Sequence, residues 1–338
     1  MTCPIATTLR ILCHFWLEEV KPGDAKTIIA LPELAQTLFP VEAATFTDLA
    51  VEYQRLFGFN LPPYESVFVD PSAMLMAPAT ERVQNLYQSA GWSPPQNYRA
   101  GAPDHVGLEL LALADWLEVP VVTKPTLPIA GDLAFRLHTE HLALWVPAFV
   151  LALRRLSPRS FYTVLGELTL DLILTTLPGN LFLPNSDPFP ALPPPAIYKA
   201  SGDQEHAERD SAFCPAPEDE PATYHLRDLI HKLLLPREAG LFITRENIAH
   251  IGQALNAPGV MGERHRMLES VFHFAGQYDL LEVLIDLLHQ LLEKTREDYR
   301  QLALEYPAWR VYADAWGQRV TQSQTLLEDL KQETSSLT

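Results

Sequence analysis

Pro103-Asp104-His105-Val106-Gly107-Leu108-Glu109-Leu110, running on to Glu118, reads as a helix with a marked start and stop. Asp104 stands as an N-cap after Pro103, and Pro120 ends the periodic run. The same grammar recurs along the chain. Apolar residues return at steps of three and four while strand-type alternation is scarce, so the expected fold is all-α, a helical bundle. Helices are expected over Thr7 to Glu19, Leu31 to Leu38, Thr45 to Phe57, Thr80 to Ala90, Asp104 to Glu118, Gly131 to Leu156 and Pro158 to Thr176. Ser157 is read as the cap of the last of these, with Pro158 in its first turn, and Gly58 as the C-cap after Phe57.

Between Pro178 and Pro221 the periodicity collapses into prolines with an acidic middle from Ser201 to Asp210. This stretch reads as a linker, or as an ordered strap held down by Leu181, Phe182, Leu183, Phe189 and Tyr198. Helical periodicity resumes over Tyr224 to Leu235, Thr244 to Leu255, Glu263 to Phe274, Tyr278 to Lys294 and Ala308 to Leu330. The expected organisation is therefore a helical domain over 1–177, a Pro-rich linker over 178–222 and a helical extension over 223–338.

With 338 residues, 47% of them apolar and 20% charged, the chain buries at least one large core. Its net charge of −17 argues against a nucleic-acid partner, which needs a basic field to release counterions. Cys3, Cys13 and Cys214 form no paired spacing, which fits a reducing cytoplasm, and no run of about twenty apolar residues suggests membrane insertion. The apolar run from Ile11 to Leu17 is too short and polar for a secretory leader.

No nucleophile motif or phosphate-cradling glycine cluster is present, so neither a catalytic residue nor a cofactor is expected. His138 and His141 share a helix face and make a metal pair geometrically conceivable, as in a metal-dependent helical hydrolase. They lack the H-E-x-x-H pattern and a third ligand at a recognised spacing, so no metal is expected. His141, Trp145 and Phe149 form a stripe that is equally well a core stripe. Tyr64-Glu65-Ser66-Val67-Phe68 follows Pro62-Pro63 and offers aromatic contact with a carboxylate between, or else plugs a bundle end. Arg245 with Arg264-His265-Arg266 hints at a helix-turn-helix that the overall acidity disfavours. A helical scaffold or dimerisation protein is the remaining alternative.

These motifs resemble the TorD family, the TorD-, DmsD- and NarJ-type cytoplasmic chaperones of molybdenum redox enzymes. The resembling residues are Tyr53 to Phe57 with Gly58, Pro63-Tyr64-Glu65-Ser66-Val67-Phe68 ending in Asp70-Pro71, Tyr87 to Gly91, Asp104 to Leu110, and His141-Leu142 with Trp145 and Phe149. The likeness covers Leu9 to Thr176. It implies a non-enzymatic chaperone that binds the twin-arginine signal peptide and the apo-form of a molybdopterin oxidoreductase subunit, assists cofactor insertion and delays export. The implied peptide-binding residues are Tyr64, Phe68, Asp104, His105, Glu109, His141 and Trp145. Leu235-Pro236-Arg237, Phe242 to Arg245 and the Gly262 to Gly276 helix are similar to extensions of some longer relatives, which suggests a client clamp or a homodimer contact.

Overall fold

The computed structural model describes residues 3–38, 43–96, 98, 100–118, 130–176, 187–192, 226–259 and 261–337. Among these the fold is all-α, and the one β-type pairing is an isolated bridge between Tyr64 and His105. The helices are α1 Pro4–Leu17, α2 Ala25–Ile29, α3 Pro32–Gln36, α4 Ala43–Tyr53, α5 Glu65–Val69, α6 Pro78–Ser89, α7 Val106–Glu118, α8 Ala130–Arg136, α9 Ala143–Leu156 and α10 Phe161–Thr175. After the Pro-rich stretch come α11 Leu226–Leu234, α12 Pro236–Ala239, α13 Arg245–Ala254, α14 Arg264–Gln277, α15 Leu281–Glu305 and α16 Arg310–Leu337. No described helix is long and apolar enough to cross a membrane.

Helix α7 lies directly against α1, and Gly107 makes that approach possible. A Cβ there would stand 2.6 Å from Leu17 Cγ and 3.2 Å from the Cys13 carbonyl oxygen. Two expected helix ends differ from the observed ones. The chain runs through Gly58 in a wide π-turn, Gln54–Asn60, stabilised by Leu61 N–H donating to the Leu56 carbonyl (2.7 Å) and Asn60 Nδ2 donating to the Arg55 carbonyl (2.8 Å). Helix α10 starts at Phe161, capped by Ser160, whose Oγ accepts the Thr163 N–H at 3.2 Å; Ser157 instead ends α9.

The expected long helix from Gly131 to Leu156 is interrupted by a π-turn over Leu137–Leu142, and Pro147 lies inside α9. Proline has no N–H to give, so the Ala143 carbonyl loses its helical donor. The Thr139 carbonyl loses its own as well, because the Ala143 N–H turns to the His138 carbonyl. Residues of the extension fill these gaps. Trp309 Nε1 donates to the Ala143 carbonyl at 2.7 Å and Tyr312 OH to the Thr139 carbonyl at 2.6 Å, and Trp316 Nε1 adds a donor to the adjoining Leu144 carbonyl at 2.8 Å. All three rings are buried.

One hydrophobic cluster thus runs from α1 through α16, crossing the expected boundary between 1–177 and 223–338. Gly240 anchors the seam: with φ at +79°, it closes α12, and a Cβ there would meet Val320 N at 2.5 Å. Of the Pro-rich stretch, 187–192 is described. Phe189 is buried edge-on against Trp316 at 4.8 Å, with Arg319 over its face, so this part is strapped onto α16. Leu181, Phe182, Leu183 and Tyr198 lie outside the described residues.

Candidate functional site

The residues singled out in the sequence converge around the start of α5. Pro62 and Pro63 hold the chain extended, and Tyr64 keeps that geometry (φ −128°, ψ 138°). The Tyr64–His105 bridge then sets the strand-like segments side by side, with Val106 N–H donating to the Pro63 carbonyl and Glu65 N–H to the Asp104 carbonyl, both at 3.0 Å. Asp104 Oδ2 accepts the Ser66 N–H at 2.8 Å. Asp104 is therefore a helix cap, but of α5 from across the fold rather than of α7. Asp70 does the same for α6: its Oδ2 accepts the Ala79 N–H at 3.0 Å, and its Oδ1 holds Ser72.

Behind these caps lies a cluster of acids. Glu65 is fully buried, with His141 Nδ1 at 2.7 Å from Oε2 and Arg82 Nη1 donating to Oε1 at 3.3 Å. Glu109 accepts the Trp145 indole N–H at 3.3 Å through Oε2. Glu109 Oε1 and Asp104 Oδ1 make no hydrogen bond among the described residues. Burial, then the neighbouring Glu65 and Asp104 charges, push the Glu109 carboxyl well above the ordinary range. Asp104 is raised too, by burial first, with the Ser66 donors opposing. Arg82, whose side chain is 26% exposed, is the guanidinium that joins this cluster to solvent.

His105 is buried and neutral. The Gly107 N–H donates to its Nδ1 at 3.1 Å, which requires that nitrogen to be unprotonated, and burial lowers its pKa to about 3. Tyr64 packs edge-on against it at 4.9 Å and receives the Gly101 N–H on its hydroxyl at 3.2 Å. Phe68 is enclosed by Trp145 (5.6 Å), Phe149 (5.9 Å) and, from the extension, Phe242 (5.5 Å).

All seven expected residues therefore belong to one neighbourhood, yet six of them (Phe68, Asp104, His105, Glu109, His141 and Trp145) are buried, and Tyr64 is half-buried. They form a closed cluster with Tyr64 and Arg82 at its edge. Glu65, Asp70 and Arg82 are the members that sequence reasoning passed over as site residues; Glu65 and Asp70 were visible in the quoted motif. His138 is apart from His141 in its bonding, with Nε2 on the Ile173 carbonyl at 2.8 Å. No group of three or more His, Cys, Asp or Glu suited to a metal ion occurs among the described residues.

Residues 22–151 match the model of the nitrate reductase delta subunit family. No curated protein and no solved structure matches the chain. The matched segment contains every residue of the cluster and stops inside α9, leaving the whole extension outside it.

Proposed function

We propose, from the premise that residues 22–151 carry a domain of the nitrate reductase delta subunit family, a NarJ/TorD-type family of non-catalytic molybdoenzyme maturation chaperones, that this chain is such a chaperone. Its client is the apo-form of a molybdopterin oxidoreductase subunit, held in the cytoplasm by its twin-arginine signal peptide until the cofactor is in place. The observation that carries this reading is the carboxylate cluster at the start of α5, with acceptor oxygens on Asp104 and Glu109 left unpaired and a single guanidinium, Arg82, at its mouth.

A guanidinium has five donors and no acceptor, so it complements a set of carboxylate oxygens that water reaches poorly. In this reading a leader arginine enters beside or in place of Arg82 and pairs with Glu65. Tyr64 contacts the peptide directly, while Phe68, Asp104, His105, Glu109, His141 and Trp145 position that edge from beneath. Residues 1–177 recognise the client, 178–222 connect, and 223–338 brace the recognition segment through Phe242, Trp309 and Trp316.

Calorimetry with a synthetic twin-arginine leader tests this. Binding is expected to weaken as salt rises and to fall about tenfold when either leader arginine becomes glutamine. Arg82→Gln is expected to tighten it by removing the internal competitor. No binding by any leader of a neighbouring reductase, or binding indifferent to its arginines, overturns the proposal.

A further inference from the structure

The sequence motif that the chaperone reading leaves unused is the pair of basic helix starts, Arg245 and Arg264-His265-Arg266. In the fold they come together. A cleft of about 440 Å³ opens where the extension meets the segment after α4, and Arg245, Arg264, His231 and His265 line it. Such a size is ordinary for a small-molecule site. In a chain of net charge −17, a cleft lined by four basic side chains needs a reason.

The two guanidiniums are short of partners. Arg264 lies over the Phe242 ring at 4.1 Å and donates one N–H to the Ile243 carbonyl at 3.1 Å. Arg245 Nε makes no hydrogen bond. Neither forms an ion pair among the described residues, although acids are close: Glu263 lines the same cleft without pairing with either guanidinium, Glu246 is taken by Arg55, and Glu269 stands 3.9 Å from His265. Burial, then repulsion from Arg245, lowers the pKa of Arg264 to about 10, consistent with an uncompensated pair of cations.

Two further features define the missing anion. Arg245 and Arg264 are the first residues of α13 and α14, so two helix starts face the same space. The start of α13 is closed by Thr244, which accepts the Asn247 N–H, whereas no side chain caps α14, leaving its first-turn N–H groups for a ligand. The opposite wall is apolar, formed by Pro62, Val67 and Leu75 with Phe59 exposed at the rim.

We propose that this cleft binds the phosphate group of a small phosphorylated organic molecule. Arg245 and Arg264 clamp the oxygens, the start of α14 donates backbone N–H groups, and the organic body rests on the apolar wall. A phosphate offers three or more acceptor oxygens and close to two negative charges, which matches two forked donors and an uncapped helix start. The compact shape disfavours an extended acidic peptide. The residues that would hold the anion, Arg245 and Arg264, lie outside 22–151 and apart from the Glu65 cluster, so loss of phosphate binding in their variants leaves leader binding unchanged.

Titration of the full chain with inorganic phosphate and with pyrophosphate, at matched ionic strength against chloride, tests the proposal by calorimetry and phosphorus resonance broadening. Saturable binding is expected, weakened at least about tenfold by Arg264→Gln or Arg245→Gln and partly restored by Arg264→Lys, which keeps charge without the fork. Circular dichroism checks folding. Should Arg264→Gln unfold, Arg245→Gln, whose guanidinium is stacked on no ring, carries the test. Binding unaffected by Arg245→Gln, no binding of either probe, or displacement by an acidic peptide but not by pyrophosphate overturns it.

Discussion

Two charged neighbourhoods of opposite sign lie on either side of Phe68 and Phe242, and they are built in opposite ways. Under α5 to α7, the acids are closed in. Asp104 and Asp70 cap helices, Glu65 holds His141 and Arg82, and burial with the neighbouring acids raises the Glu109 carboxyl well above the ordinary range. At α13 and α14 the arginines line an open cleft and are bound to little beyond a carbonyl and a ring. In the first, most of the charge is bonded within the fold and holds its shape, with unpaired oxygens on Asp104 and Glu109 beneath an edge formed by Tyr64 and Arg82; in the second, the charge itself faces the cleft.

The sharpest way to break this comparison is Glu65→Ala. Removing the carboxylate strands His141 and one donor of Arg82 in a buried site, so a loss of about 3–5 kcal/mol is expected in denaturant unfolding. A loss below about 1 kcal/mol would mean that the cluster is not structural in the sense argued here.

Next comes the response to acid. His105 has a folded pKa near 3, below its unfolded value of about 6.5, so the unfolded chain binds the extra proton in between. Its contribution is present in full above about pH 6.5 and drains away as pH falls toward about 3, costing roughly 3 kcal/mol by pH 4. Substituting His105→Asn should flatten that limb of a stability-against-pH curve. Glu109 acts in the other direction: its raised pKa favours the folded state at low pH and loses that advantage as pH rises through it. An acid limb unchanged in the Asn variant would remove His105 from the account.

The smallest effect is expected in the basic cleft. Because Arg245 has no carboxylate partner among the described residues and is repelled by Arg264, Arg245→Gln should leave stability within about 0.5 kcal/mol of the parent or slightly above it. A substantial destabilisation in a thermal melt would show that Arg245 has a structural duty like that of the buried acids.

Much of the fold was legible because helical periodicity is a local signal. The helices α1, α6, α7, α10, α13 and α14 fall close to their expected spans. What escaped was long-range. Asp104 was readable as a cap, but the N–H it serves belongs to Ser66, 38 positions earlier, a pairing that no local pattern announces. The π-turn before α9 and Pro147 inside α9 interrupt a stretch that the periodic pattern reads as one helix. The candidate residues lie in one neighbourhood, but whether they are exposed or buried is not written in the sequence, since alternating acids and aromatics look the same on a cleft and inside a bundle end. Gly107 followed the rule that a helical glycine has a packing reason, although the neighbour it admits, α1, lies far off in sequence.

The indole and phenol groups that seal the carbonyls around Pro147 have a consequence for assembly. Ala143 and Leu144 receive their donors from positions 166 and 172 residues later. Until Trp309 is in place, the Ala143 carbonyl, which Pro147 leaves without a helical donor, stays unpaired in what becomes the interior. The packing around Pro147 is therefore completed by residues far along the chain, and the two halves close on one another as a single core.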